Sequence, residues 1–322
     1  MNRLRVAGGW LKTHWRALFL ALAGLLTLSA LGNPQLLLSR QAYRYSFVLD
    51  ITQSMNARDY HRAGLPADRL GYAKAAVSRV LEKLPCGSEV GIGLFTTQTV
   101  HFLFEPLEVC AHFSVIEDVL AQVDWRMAWS ADSHVEMGLY HALRELKKKA
   151  NGARLVFLTD GQETPPQTVR AQFGDKPGAI KGIVVGVGGL SPVTVPRFDR
   201  DNKLQGVWQN ADIEKPPVSS TVYSEKVVTR DLPEEGPYQS WLDEARLREL
   251  SIATGLLYQR LDSPESLSQR LLKPELAEYR PTVTDIRPLL GLLALMVLLG
   301  SYWERSRPAV RASAATNPRP RR

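Results

Sequence analysis

A carboxylate and two hydroxyls alternate directly after a short apolar segment near residue 50. Asp50, Thr52 and Ser54 follow the segment YSFVL, and a second carboxylate, Asp160, follows the apolar segment LVFLT. Oxygen ligands of these types suit hard cations such as Mg²⁺, Ca²⁺ or Mn²⁺. The spacing therefore predicts a divalent-cation site, provided that the fold brings the two segments together.

Apolar strand-like segments alternate with amphipathic helical segments in the middle of the chain. Buried strands separated by helices are typical of an α/β fold with a mostly parallel sheet that is covered on both faces. Sites in such sheets form at the carboxyl ends of the strands, which is where Asp50 and Asp160 are expected. The predicted strands are 45–50, 154–160 and 180–187, and the predicted helices are 69–84, 113–123, 134–150 and 242–254.

A hairpin and a disulfide bond are predicted together. The segments 89–95 and 100–105 are apolar and are joined by a four-residue polar connection, as in an antiparallel hairpin. If the hairpin continued beyond these segments, it would set Cys86 nearly opposite Cys110. Because these are the only cysteines in the chain, we expect one disulfide bond between them.

The positive charge of the chain is confined to its two ends. Of the formal net charge of +7, residues 1–16 carry +4 and residues 304–322 carry +5, which leaves −2 for the rest. A slightly acidic body excludes a basic nucleic-acid-binding surface. The basic segments are instead expected to be cytoplasmic tails that border a membrane.

Each basic tail adjoins an uncharged apolar run, at 17–39 and at 288–303. We predict that both runs are transmembrane helices, although the first also fits a cleaved signal peptide. Basic flanks mark the cytoplasmic side. The body, with a domain over 43–265 and a linker over 266–287, is therefore expected in the periplasm, on a bacterial cytoplasmic membrane.

Sequence arrangements that support catalysis are not found. A phosphatase of the Asp-x-Asp type would need a carboxylate where Thr52 stands, and no Gly-x-Ser-x-Gly motif marks a serine hydrolase. The histidines lack the spacing of a zinc site. The segment 198–203, which contains two aspartates, is predicted to be a hairpin turn, because Lys203 occupies a position where a calcium-binding loop needs an oxygen ligand. We therefore predict that the protein is not an enzyme.

Three segments resemble von Willebrand factor A domains. The segment DITQSM is similar to the metal-ion-dependent adhesion site of that family, LPADRLGYAKAAV to its first helix, and LVFLTDGQE to its third metal loop. The resemblance extends over about 43–265. It implies a doubly wound sheet with one antiparallel edge hairpin, and a metal site that contains Asp50, Thr52, Ser54 and Asp160.

The second metal loop departs from the family pattern. Family members supply a threonine about six residues before a helix leucine, and the corresponding residue here is Ser133, with Asp132 as an alternative. The resemblance implies that Mg²⁺ is the preferred cation, with Ca²⁺ and Mn²⁺ as alternatives. It also implies that an Asp or Glu of a protein partner completes the coordination.

An A domain between two membrane anchors resembles the bacterial Bat-type proteins and the A-domain proteins of methanol-oxidation systems. The segment WLDEARLRELSIATGLLYQRLDSPESL is similar to the end of the domain in these groups. The resemblance implies partners among other A-domain proteins, MoxR-type AAA ATPases and periplasmic methanol dehydrogenase, whose calcium insertion the second group assists. The alternative is a structural scaffold of a Bat-type envelope complex with a weak or vestigial metal site.

Overall fold

A computed structural model describes residues 2–164, 172–213 and 235–302. The chain divides into two compact units. The larger unit comprises Arg40–Arg280, and the smaller unit contains the two ends of the chain, up to Ser39 and from Pro281 onward. The predicted cytoplasmic tail over 304–322 lies outside the described residues.

The helices and strands alternate along the larger unit, as the sequence pattern predicts. The helices are α1 (Asn2–Leu31), α2 (Arg69–Leu81), α3 (Val109–Gln122), α4 (Val135–Lys149), α5 (Glu244–Thr254), α6 (Pro264–Leu271) and α7 (Arg287–Tyr302). The strands are β1 (Gln35–Ala42), β2 (Arg44–Asp50), β3 (Glu89–Thr96), β4 (Thr99–Phe102), β5 (Leu107–Glu108), β6 (Arg154–Thr159), β7 (Gly182–Gly186), β8 (Val193–Thr194), β9 (Pro196–Phe198), β10 (Leu204–Val207), β11 (Gln239–Ser240), β12 (Leu257–Arg260) and β13 (Glu278–Asp285).

A seven-stranded sheet forms the centre of the larger unit, in the order β12-β7-β6-β2-β3-β4, with β5 also paired to β3. All neighbours from β12 to β3 run parallel. The strands β4 and β5 run antiparallel to β3 at the edge. The predicted fold, a mostly parallel doubly wound sheet with one antiparallel edge, is therefore confirmed.

Both faces of the sheet are buried under helices. Successive residues of a strand point to opposite faces, so Phe47 joins the apolar cluster formed with α2, α3 and α6, whereas Val48 joins the cluster formed with α4 and α5. Burial on both faces explains why the central strands read as continuous apolar segments. The sheet is consequently a rigid support for the loops at its two ends.

The edge hairpin has the predicted register. Strands β3 and β4 pair over four residues each, from Gly93 opposite Phe102 to Thr96 opposite Thr99. Beyond the hairpin, Cys86 and Cys110 form a disulfide bond with their Cα atoms 5.2 Å apart. The predicted disulfide bond is therefore confirmed.

Two elements differ from the sequence prediction. Helix α3 has an additional turn from Val109, which Glu108 caps by accepting a hydrogen bond from the Ala111 amide, and a kink at His112 separates this turn from the helix predicted to start at residue 113. The predicted linker 266–287 contains α6 and β13 in place of irregular chain. Helix α6 packs on the core through Leu267 and Leu271, which are buried.

The segment 198–203 is a hairpin turn between β9 and β10, as predicted. The Asp199 carboxylate accepts hydrogen bonds from the backbone amides of Asp201 and Lys203, at 3.0 and 2.8 Å. These bonds use the carboxylate to close the turn.

The smaller unit contains α1 and α7, which pack against each other. The Phe19 ring of α1 lies beside Gly300 of α7. Strand β1 pairs with β13. Among the described residues, no helix has both the length and the apolar character that crossing a membrane would need. The membrane spans over 17–39 and 288–303 therefore remain predictions.

We expect the disulfide bond to contribute about 2–4 kcal/mol to the free energy of unfolding, because it restricts the unfolded chain between residues 24 positions apart. Replacing Cys86 and Cys110 together with serine should lower the urea midpoint by a corresponding amount, whereas dithiothreitol should not affect the double variant further. Alkylation of two thiols in the unreduced wild-type protein would contradict the bond.

Candidate metal centre

The carboxyl ends of β2 and β6 meet at one edge of the sheet. The strands are adjacent and parallel, with Leu49 opposite Leu158. Asp50, the last residue of β2, and Asp160, which directly follows β6, therefore both lie at this edge. Both side chains are fully buried, so any charge that they carry must be balanced by nearby groups.

The first loop organises hydroxyls around Asp50. Its Oδ1 accepts hydrogen bonds from the Thr52 amide at 2.9 Å and the Thr52 hydroxyl at 2.7 Å, and its Oδ2 accepts one from Thr159 Oγ1 at 2.6 Å. A 3₁₀ turn over Gln53–Asn56 follows and holds Ser54 Oγ 3.4 Å from Thr52 Oγ1. The alternating motif thus places two hydroxyls and one carboxylate side by side.

The second loop contributes Ser133. The Ser133 amide donates to the Thr164 carbonyl at 2.7 Å and its carbonyl accepts from the Thr164 amide at 2.8 Å, which fixes the backbone. Its hydroxyl is buried and has no hydrogen-bond partner. A buried hydroxyl without a partner is uncommon and calls for an explanation, such as an ion or a water molecule. Asp132, the alternative ligand, is only half-buried.

A small cleft brings the three hydroxyls together. Thr52, Ser54 and Ser133 line a cavity of about 20 Å³, whereas Asp132 does not line it. That volume is close to the space that one water molecule or one small ion needs. The rest of the wall includes Trp208 and Tyr238. Of the two candidates in the second loop, the geometry therefore favours Ser133.

The third loop is held by a buried arginine. Arg69 Nη1 lies 2.8 Å from Asp160 Oδ2, and the Gln162 amide donates to Asp160 Oδ1 at 3.1 Å. The same guanidinium donates to Asp59 Oδ2 from Nε at 2.9 Å and Nη2 at 2.7 Å, and to Ser240 Oγ at 2.6 Å. Because Asp160 is already paired, it is less available than the three hydroxyls for direct contact with a cation.

The buried charges at this edge are not balanced. Arg69 is the one buried cation in contact with Asp160 and Asp59 among the described residues. Asp50 has hydroxyl and amide partners but forms no ion pair with a cationic side chain among the described residues. Burial, and then the nearby Asp160 charge, raises the pKa of Asp50 above its ordinary value. A divalent cation beside Asp50 would favour the ionised carboxylate and would therefore lower this pKa.

The residues therefore fit a divalent cation. Asp50, Thr52, Ser54 and Ser133 supply hard oxygen atoms, and Asp160 lies behind them with its charge shared with Arg69. Within the described ranges, the one cluster of three His, Cys, Asp or Glu side chains with metal-like spacing is Cys86, Glu108 and Cys110. Its sulfurs are bonded to each other, so it is not a competing site.

Sequence reasoning missed the groups that hold the third loop. The sequence pattern predicts Arg69 only as the start of a helix, and no motif indicates Asp59 or Ser240. The available signal was an arginine directly before the apolar stripe of α2, where Arg69 is fully buried. Ser240 is 171 residues from Arg69 in sequence, and no local pattern predicts that contact.

Residues 45–162 match the family model for the von Willebrand factor type A domain. Over these residues the chain is therefore similar to the von Willebrand factor type A domain, the family that the three motif segments indicate. The match includes the first two loops of the candidate centre and the start of the third. No curated protein matches the chain.

Solved structures with a similar architecture include three bacterial or archaeal proteins. An aerotolerance-related membrane protein from Bacteroides fragilis shares 15% identity over 71% of this chain and 96% of its own, with a TM-score of 0.46. The conserved hypothetical protein BatB from Bacteroides thetaiotaomicron shares 17% identity over 73% and 99%, with a TM-score of 0.48. The ArnB paralog VWA2 from Sulfolobus acidocaldarius shares 14% over 72% and 44%, with a TM-score of 0.38.

We expect Arg69→Met to lower the free energy of unfolding by about 3–5 kcal/mol, because it leaves two buried carboxylates without their cation. Urea unfolding measures the loss. Arg79→Met is the matched control on α2, since Arg79 is exposed and pairs with Glu82 at the surface; it should change stability by less than about 1 kcal/mol. Equal effects of the two substitutions would contradict the structural role of Arg69.

Proposed function

We propose that this domain binds a protein partner through a divalent cation. The observation that carries the proposal is the cleft in which Thr52, Ser54 and Ser133 converge beside the buried Asp50. The unpartnered Ser133 hydroxyl adds support, because a cation in the cleft would supply its missing partner. The role is binding without catalysis.

Mg²⁺ is the cation that we propose, with Ca²⁺ and Mn²⁺ as alternatives. A bound cation would supply a Lewis-acidic position for a carboxylate oxygen of the partner. Neutral hydroxyls leave most of the cation charge unbalanced, which favours an Asp or Glu from the partner. Asp50 would accept the hydroxyl hydrogen bonds that orient Thr52, and Arg69 would hold Asp160 in place.

The second candidate function is a metal-independent scaffold in an envelope complex. The contact that favours it is the ion pair between Arg69 and Asp160, which already neutralises one carboxylate of the site. In that case the domain would bind partners through its ordinary surface, and the cleft would be vestigial. The two functions differ in whether Asp50 is needed for partner binding.

We further propose that α1 and α7 anchor the domain in the bacterial cytoplasmic membrane, with the domain in the periplasm. Leu28 and Leu299 are more than half exposed, like several other leucines of the two helices. The Thr27 and Ser301 hydroxyls donate to carbonyls of their own helices, at 2.9 and 2.6 Å. Satisfied hydroxyls and exposed leucines suit an apolar environment. The disulfide bond suits an oxidising compartment.

The partner that we propose is a periplasmic metalloenzyme whose assembly the domain assists, with methanol dehydrogenase as the leading candidate. Other A-domain proteins and a MoxR-type AAA ATPase would belong to the same system. These proposals rest on the resemblance of the motifs and on the predicted pair of anchors. They extend the metal-dependent binding role to a particular class of client.

We expect Mg²⁺ to bind the wild-type protein in calorimetric titration and to raise its stability, by about 2.7 kcal/mol at a hundredfold excess over the dissociation constant. Asp50→Ala should abolish both effects. Ser133→Ala should weaken Mg²⁺ binding yet change stability in EDTA by less than about 1 kcal/mol, because the hydroxyl has no protein partner to lose.

Asp118→Ala is the matched control for these titrations, since Asp118 lies exposed on α3. It should bind Mg²⁺ as the wild type does. Absence of Mg²⁺, Ca²⁺ and Mn²⁺ binding to the wild-type protein would rule out the cation-dependent role and leave the scaffold.

We expect the full-length protein to recover its periplasmic partner in Mg²⁺ but not in EDTA, because the cation bridges the two proteins. Asp50→Ala should recover none in either condition, and Asp118→Ala should behave as the wild type. Mass spectrometry of the recovered material identifies the partner. Recovery of the same proteins by Asp50→Ala and by the wild type in EDTA would favour the scaffold.

A further inference from the structure

A second pocket lies at the amino-terminal ends of the parallel strands, on the side of the sheet opposite to the carboxyl ends that carry Asp50 and Asp160. It has a volume of about 170 Å³. Tyr45, Arg154, Gly182 and Leu257 line it and occupy the first or second positions of β2, β6, β7 and β12. Helix α6 and the 3₁₀ turn that follows it supply the rest of the wall. The pocket therefore lies within the larger unit and shares no residue with the metal centre.

The interior of this pocket is mostly apolar. Ile183, Leu257, Leu271 and Leu276 line it. The Tyr45 hydroxyl does not need a ligand, because it donates to the Leu271 carbonyl at 2.5 Å. A cavity of about 150 Å³ lined by apolar side chains can hold benzene. The volume and lining thus suit an apolar body about the size of one aromatic ring.

No acidic residue lines the same pocket, but three cationic residues do: Arg154, Lys181 and Arg270. The Arg154 side chain is only 13% exposed, and the nearest Glu278 carboxylate oxygen lies 4.0 Å from its guanidinium. Glu278 is also paired with Arg280 at 2.6 Å.

Lys181 and Arg270 have no carboxylate within 4.0 Å among the residues that the structure describes. Like charges that converge on an apolar cavity repel one another, and an anion would relieve that repulsion. The pocket therefore combines a positive rim with an apolar floor.

We propose that this pocket binds a small amphipathic anion, with a carboxylate or phosphate group at the cationic rim and a ring-sized apolar group on the floor. The guanidinium groups of Arg154 and Arg270 suit such oxyanions, because their paired N–H donors match two oxygen atoms. Lys181 adds a third positive charge. The same chemistry occurs in free aromatic or short aliphatic acids and in the headgroup region of anionic lipids.

The test uses benzoate as the anion and benzamide as its neutral analogue of the same shape, titrated by calorimetry into the full-length protein in zwitterionic detergent. We expect benzoate to bind at least tenfold more tightly than benzamide. Lys181→Gln combined with Arg270→Gln should weaken benzoate binding at least tenfold. Lys176→Gln, which alters an exposed lysine outside the pocket, should leave it unchanged.

Lipid nanodiscs distinguish the two sources of the anion. Loss of benzoate binding in phosphatidylglycerol nanodiscs, but not in phosphatidylcholine nanodiscs, would identify an anionic lipid as the occupant. Equal binding in both would identify a free acid. The proposal fails if benzoate and benzamide bind equally, if benzoate does not bind at millimolar concentration, or if the double variant retains wild-type affinity while its urea unfolding is normal.

Discussion

The buried guanidinium of Arg69 is the interaction on which the arrangement at the carboxyl ends of β2 and β6 depends. It joins Asp160 in the third loop, Asp59 after the first loop and Ser240 in β11, and it also lies 3.4 Å from the Ser54 carbonyl. A buried cation with this many partners is stable only when all of them are present. One side chain therefore links the first loop, the third loop and β11, whereas Ser133 of the second loop is fixed separately by its backbone hydrogen bonds to Thr164.

Much of the fold follows from local sequence patterns. The apolar segments that end at Asp50 and Thr159 predict central strands, because a sheet covered on both faces needs apolar residues at successive positions. The polar connection between β3 and β4 predicts the hairpin register, and the register in turn predicts the disulfide bond between Cys86 and Cys110. These features depend on residues that are close in sequence or on a simple periodicity.

Contacts between distant residues could not be predicted in the same way. The motif around Asp50 indicates ligand types, but it does not reveal that Arg69 pairs with Asp160, 91 residues away. The sequence does not predict helix α6, because the helix is short. The burial of its apolar residues, Leu267 and Leu271, depends on core residues that are distant in sequence. The cationic pocket is likewise assembled from the starts of several strands and has no motif of its own.

The connectivity of the sheet also determines at which stage of folding the residues of the cleft come together. Asp50 and Thr159 are 109 residues apart, yet their hydrogen bond forms part of the site. Pairing β2 with β6 closes a long loop, and sheets dominated by such non-local pairs fold slowly. The hairpin of β3 and β4 closes only a short loop, so it is able to form early. The cleft is therefore complete only after the polypeptide has paired strands that lie far apart in sequence.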